Sequence, residues 1–146
     1  MKEILEEKKV AVVIPCYRVS RHIEQVVSTI PDWVDHIVVV DDKCPDGSGQ
    51  LAEAVADDRI LVVSHEQNQG VGGAMITGYK QALALACDIV VKMDGDGQMA
   101  PEYLEALIQP LLDDRADYTK GNRFYDFKRL KAVSYTHLRA HETKPN

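Results

Sequence analysis

Acidic side chains gather at two places in this sequence of 146 residues, each directly after a short apolar run. Asp41 and Asp42 follow the run 36–40, and Asp94 and Asp96 follow the run 89–93 within Asp94-Gly95-Asp96-Gly97-Gln98. In an extended loop, residues two apart point to the same side, so Asp94 and Asp96 can share one divalent cation. Gly95 leaves room for a close approach, and Gln98 continues that side with an amide oxygen. Such oxygens suit Mg²⁺ or Mn²⁺, which keep several waters and take substrate phosphates as further ligands. A metal-bound diphosphate is the natural guest. Met in isolation, Asp-Gly-Asp-Gly is an ordinary solvated turn. Here an apolar run precedes it, Pro101 opens a helical pattern behind it, and a second acidic strand end exists, which together favour a site. Asp41 and Asp42 can equally be turn initiators or ligand contacts, and spacing names no ligand for them.

These residues need elements to bring them together. Short apolar runs alternate with segments of helical period, the pattern of βα units that build a mostly parallel sheet, so the fold class is α/β. Strands are expected over 10–15, 36–40, 60–64 and 89–93, with a fifth around 117–120. The first is almost unbroken in apolar character and should lie centrally, covered on both faces. Ser20 is placed to cap a helix with Ile23, Val26, Val27 and Ile30 on one face, ended by Pro31. A short helix is expected over 51–56. A longer one follows the glycines at 70, 72 and 73, with Val71, Ala74, Met75, Gly78, Tyr79, Ala82 and Leu85 as its core face. Another begins at Pro101 and carries Leu104, Leu107, Ile108 and Leu111. In open α/β sheets the carboxyl ends of the strands border the ligand crevice, so both acidic pairs can face one pocket.

Composition limits the alternatives. The length suits one domain, and 17 basic against 23 acidic residues, a net charge of −6 without a basic cluster, argue against a nucleic-acid partner. Cys16, Cys44 and Cys87 lack CxxC spacing and read as reduced thiols rather than a disulfide framework or a zinc site. Residues 1–9 lack the apolar core of a signal peptide, and no apolar run approaches the ~20 residues that span a bilayer. His22, His36 and His65 are isolated, so ordinary surface or interface roles suffice. His137 and His141 stand at helical spacing, but two ligands make a poor metal site.

Five blocks, in order, resemble glycosyltransferase family 2, especially its polyprenyl-phosphate sugar transferase branch. They are Val12-Val13-Ile14-Pro15-Cys16-Tyr17; Val38-Val39-Val40-Asp41-Asp42 with Pro45-Asp46-Gly47-Ser48; Asn68-Gln69-Gly70 with Gly72, Gly73 and Ala74; Asp94 to Gln98; and Gly121-Asn122-Arg123-Phe124. The resemblance implies a GT-A fold and a UDP- or GDP-sugar donor, bound through Pro15, Tyr17, Asp41, Asp42, Gly72, Asp94 and Arg123. It also implies Mg²⁺ or Mn²⁺ at the DxD motif, held by Asp96 and Gln98 with Asp94 beside it on metal or ribose. The sugar would pass to a polyprenyl phosphate or glycan acceptor of the cell envelope, at the cytoplasmic face of the membrane. Arg18-Val19, Lys43-Cys44 and Val71 depart from the family's usual residues, and base and sugar stay unspecified.

The resemblance covers the nucleotide-sugar-binding part, 1–133. Residues 134–146 match no block and are expected to be a non-native tail that adds nothing to the fold. The family's general base normally lies well downstream of the DxD motif; Asp126 stands too close after Phe124 to serve, so binding is expected without useful transfer. Two other readings compete. One is a haloacid-dehalogenase-like phosphatase with Asp94 as nucleophile, against which Gln98 stands where Thr is expected and the motif follows the fourth strand. The other is a non-catalytic nucleotide-sugar-binding fragment.

Overall fold

The computed structural model describes residues 7–100 and 102–113. The chain divides into two compact units, Met1–Met99 and Ala100–Asn146. In the first, β1 (Val10–Cys16), α1 (Ile23–Ser28), β2 (His36–Asp41), α2 (Ser48–Glu53), β3 (Ile60–Ser64), α3 (Gly70–Ala84) and β4 (Ile89–Lys92) alternate along the chain. Among the described residues the strands form one parallel sheet of order β3-β2-β1-β4. The second unit contributes α4 (Glu102–Leu112), which buries Leu104, Ala106, Ile108 and Leu112.

β1 is central, as its apolar run demands: it pairs with β2 from Ala11 to Cys16 and with β4 from Val10 to Val13. Every residue of β1 except Pro15 is buried. Because β4 partners β1 no further than Val13, Pro15, which has no N–H to donate, sits where β1 has lost one neighbour. β3 lies at a sheet edge and is correspondingly half-exposed.

α3 packs on β1, β2 and β4, closing a core of Val13, Val38, Val40, Ala74 and Met75. Its buried face is the expected one, with Leu85 packed beside the core, apart from two positions. Ala74, Met75, Gly78 and Ala82 are buried, whereas Val71 is 58% and Tyr79 44% exposed. Small residues at i, i+4 and i+8 let the helix lie close to the sheet, and Gly78 touches Val13 so tightly that a β-carbon there would collide with it. Close approach through these small side chains seats the helix on the sheet.

α1 starts later than expected. His22 occupies the N-cap without a side-chain capping bond, and the Ser20 N–H donates instead to Asp46 Oδ2 at 3.1 Å. α2 begins at Ser48, earlier than the expected 51, after Gly47 in the left-handed region at φ 76°. The strand expected over 117–120, the Gly121 to Phe124 block and the segment 134–146 lie outside the described residues.

Candidate donor-binding site

The carboxyl ends of β1, β2 and β4 and the first turns of α3 border one cavity of about 240 Å³. β1 and the loop after it supply Pro15, Tyr17 and Val19; the loop after β2 supplies Asp42; α3 supplies Val71 and Ala74; the loop after β4 supplies Asp94, Gly95 and Asp96. Parallel strands that all end on one edge make this convergence a property of the topology.

Backbone contacts fix the first wall. Three successive N–H groups after β1 are taken by the loop after β2 and the first residue of α2: Arg18 donates to Cys44 Sγ at 3.1 Å, Val19 to Ser48 Oγ at 3.0 Å and Ser20 to Asp46 Oδ2. Asp46 gathers this cluster, accepting from the Ser48 hydroxyl at 2.5 Å and from the Cys44 thiol. Burial would raise its carboxyl, but the hydrogen bonds from Cys44, Ser48 and Ser20 outweigh it and hold the group far below the usual carboxylate range. Tyr17 is thereby held half-exposed at the cavity, with the Arg18 guanidinium 5.4 Å from its ring centre.

The two aspartates after β2 part company. Asp42 borders the cavity, whereas Asp41 is turned into the Cys44–Gly49 region, accepting from the Cys44 N–H at 2.8 Å with its other oxygen against Gly49. Asp41 therefore holds a loop and does not line the cavity. Asp42 is buried and accepts from His65 Nδ1 at 2.8 Å, Gln69 N at 2.7 Å and Gly70 N at 2.8 Å. Desolvation pushes its carboxyl up, and the bonds from His65, Gln69 and Gly70 pull it further down, for a net lowering.

The Asp94–Gln98 loop lies tight on the end of β1. A β-carbon on Gly95 would come within 3.1 Å of Val19 and 3.3 Å of Ile14, a tight fit that glycine avoids. Asp94 is 60% exposed, with the Lys92 ammonium 3.6 Å away, an exposed pair of small energetic weight. Asp96 Oδ1 accepts the Gln98 N–H at 3.0 Å.

Of the residues expected at the donor, Pro15, Tyr17, Asp42, Asp94 and Asp96 share this cavity; Asp41, Gly72 and Gln98 do not line it, and Arg123 lies outside the described residues. Sequence reasoning passed over Val71 and Ala74, reading them as core, and set His65 aside as isolated. His65 is in fact enclosed between Asp42 and Thr77. Its position immediately after β3, at the same sheet edge as Asp42, was the available signal.

A model of the family described as glycosyl transferase family 2 matches residues 11–144, a span that runs on into the segment the sequence set apart as a tail. The chain is 32% identical over 147 aligned residues to the UDP-N-acetylglucosamine–dolichyl-phosphate N-acetylglucosaminyltransferase of Methanococcus voltae, covering 90% of this chain and 59% of that protein. It is 35% identical to the polyprenol monophosphomannose synthase of Mycolicibacterium smegmatis, covering 80% and 46%. The chain thus spans about half the length of the curated relatives it matches. Among solved structures, the glucosyl-3-phosphoglycerate synthase of Mycobacterium tuberculosis, in complex with Mn²⁺, uridine diphosphate and glucosyl-3-phosphoglycerate, superposes with a TM-score of 0.62 at 28% identity, over 76% of this chain and 42% of that one. The phosphatase alternative loses its basis with these matches. With the sheet, its strand-end loops and the family model all covering the same stretch, this chain belongs to glycosyltransferase family 2 and has the GT-A fold.

Proposed function

We propose that this chain binds the nucleoside diphosphate of a UDP- or GDP-sugar in the strand-end cavity and serves transfer of the sugar to a polyprenyl phosphate or glycan acceptor. The observation that carries the reading is the meeting of Asp42, Asp94 and Asp96 with Pro15 and Tyr17 around one cavity. The half-exposed Tyr17 ring offers a face for the base or ribose, and Asp42 an acceptor for an N–H or O–H group of the nucleoside. Asp94 and Asp96 stand at the part of the cavity where a diphosphate would need its charge compensated.

A divalent cation fits this donor set. Among the described residues no group of three or more His, Cys, Asp or Glu side chains could hold a metal by itself. Mg²⁺ and Mn²⁺ are commonly bound by one or two carboxylates, with phosphate oxygens and water completing the shell, and Asp94 and Asp96 provide that number. Asp96 would hold the ion, with Asp94 on metal or ribose, whereas Gln98 does not line the cavity. When bound, it supplies stabilisation of the negative charge on the departing diphosphate. The chain's own share is to present both carboxylates at the cavity, beside Pro15 and Tyr17. No described residue is assigned as the base that deprotonates the acceptor.

The names of the relatives support a lipid-phosphate acceptor; a place at the cytoplasmic membrane face is part of the proposal. Among the described residues no helix is long and apolar enough to cross a membrane.

Calorimetric titration of UDP and GDP, with Mn²⁺ or Mg²⁺ and then with a chelator, tests the reading. One nucleotide should bind at least tenfold more tightly with metal, and Asp96→Ala should abolish that difference. Equal affinity with and without metal, or an unchanged Asp96→Ala variant, would remove the metal role; no binding of either nucleotide would remove the function.

A further inference from the structure

His65 joins three elements through a side chain only 6% exposed. Nδ1 lies 2.8 Å from Asp42 Oδ1, at the end of β2, and Nε2 lies 2.7 Å from Thr77 Oγ1, in the middle of α3. Its backbone N–H donates to Asp41 O at 2.8 Å, anchoring the residue at the sheet edge. A carboxylate only accepts, so Nδ1 carries the proton toward Asp42, and Nε2 of the neutral ring then accepts from the Thr77 hydroxyl. Both ring nitrogens are satisfied in that one tautomer.

The Asp42 carboxylate reaches across to the start of α3. Oδ1 also accepts the Gln69 N–H and Oδ2 the Gly70 N–H, while the Asp42 carbonyl accepts from Asn68 Nδ2 at 3.0 Å. The first turn of α3 needs such an anchor. Gly70 stands in the left-handed region at φ 79°, and Gly72 and Gly73 each cost up to roughly 1 kcal/mol of helix propensity relative to alanine. The small-residue contact that seats the helix, Gly78 on Val13, lies two turns further on. Yet this weak first turn carries Val71 and Ala74, which line the cavity. A carboxylate has about four acceptor positions, and three on Asp42 are filled by His65, Gln69 and Gly70. One remains on Oδ2, so the direction in which Asp42 can receive a ligand's hydrogen is set by the partners that hold it.

We propose that His65 is a positioning residue of the donor site: by bridging Thr77 to Asp42 it clamps the first turn of α3 and leaves one oriented acceptor position on Asp42 for the nucleoside. The clamp stands on the geometry above, and its role in ligand binding rests on the function proposed for the cavity. A protein carboxylate, and not a ligand phosphate, occupies the N–H groups of Gln69 and Gly70, which leaves the diphosphate to the Asp94–Asp96 end of the cavity.

Two variants and two measurements test this. His65→Leu removes both ring bonds, and His65→Asn keeps an N–H donor for Asp42 at the position of Nδ1. Amide hydrogen exchange on the ligand-free chain should show His65→Leu losing protection at residues 69–74 by at least tenfold, with 78–84 unchanged, and His65→Asn recovering most of it. Titration with UDP and GDP in Mn²⁺ should show a matching loss of at least tenfold for His65→Leu and a loss of less than threefold for His65→Asn. Unchanged exchange at 69–74 would overturn the clamp whether or not nucleotide binds. Altered exchange with unaltered affinity would overturn the positioning role and leave a structural one. Absence of nucleotide binding by the unmodified chain would refute the proposed function instead, with the exchange data still deciding the clamp. Should His65→Leu not fold, Thr77→Val is expected to act in the same direction by about threefold in both measurements, and no effect in either would overturn the proposal.

Discussion

Replacing Gly78 by alanine sets two opposing effects against each other, and the structure says which wins. Alanine is favoured over glycine inside a helix by about 1 kcal/mol. A β-carbon at this position would fall inside the van der Waals surface of Val13 Cγ1, and it would lie 3.1 Å from Cγ2 and 3.2 Å from Cβ, where carbon contacts prefer about 3.5–4.0 Å. Val13 cannot swing aside, since it is fully buried in the central strand with Val38 beside it in register and Ala74 and Met75 above. α3 must then rise from the sheet, loosening Ala74, Met75 and Ala82 as well. Overpacking of this kind costs typically 1–3 kcal/mol, and a clash with several atoms of a fixed side chain belongs at the upper end. The net expectation is a loss of about 1–2 kcal/mol, or roughly 2–8 °C in thermal midpoint at this chain length. Urea unfolding followed by Trp33 fluorescence and far-ultraviolet circular dichroism would measure it. Val13→Ala should relieve the clash, so the double variant should be more stable than the sum of the single losses by about 1 kcal/mol. The same displacement carries Val71 and Ala74 away from the cavity, and nucleotide affinity should fall with it. A stabilised Gly78→Ala chain, or strict additivity with Val13→Ala, would refute the packing argument.

Three further outcomes follow from the hydrogen-bond networks and buried groups. Arg59 donates to the carbonyls of Ile30, Pro31 and Val34 and forms a bidentate pair with Asp57, so Arg59→Met should cost about 1–3 kcal/mol in urea unfolding, with Arg59→Lys restoring only part. Asp57, held down chiefly by the Arg59 hydrogen bonds, and Asp42 and Asp46, held down by theirs against the effect of burial, all lie below their ordinary value of 3.8 in the folded chain. A depressed carboxyl contributes stability above its unfolded value and loses it as pH falls through the folded one, so stability should drop below about pH 4; Asp57→Asn should make that acid slope shallower, measured as urea midpoints between pH 5 and pH 2.5, and an unaltered slope would count against the assignment. Burial pushes the Cys16 thiol up to about 12, so in the native chain at pH 8 Cys44 should be alkylated well before Cys16, and equal rates by peptide mass analysis would contradict the burial.

Much of this protein is written in local pattern. The apolar runs that became β1, β2 and β4 are legible because a strand covered on both faces has no place for polar residues, and the half-exposed edge strand β3 still matched its expected span residue for residue. The convergence of Asp42, Asp94 and Asp96 on one edge was legible too, since parallel strands must all end on the same side of a sheet. Other features were settled only when the elements met. The face of α3 that packs on the sheet was legible, but the exposure of Val71 beside the cavity and of Tyr79 was not, nor was how closely Gly78 approaches Val13, a contact between residues 65 apart in sequence. Asp41 and Asp42 are adjacent and chemically identical. Alternation along a strand end sent one toward Gly49 and the other toward the cavity, and only the positions of α2 and α3 determine what each then meets. Ser20 carries a good capping side chain, yet its N–H was claimed by Asp46 from another loop and the helix started at Ile23. His65 shows no local periodicity at all, because its two partners come from other elements, 23 and 12 residues away. Sequence by itself thus specified strands, their order of appearance and the chemistry available at their ends, through forces that act within a few residues. The partner of each polar group depended on long-range packing, because a hydrogen bond is allotted only after the sheet and the helices have brought donor and acceptor within 3 Å.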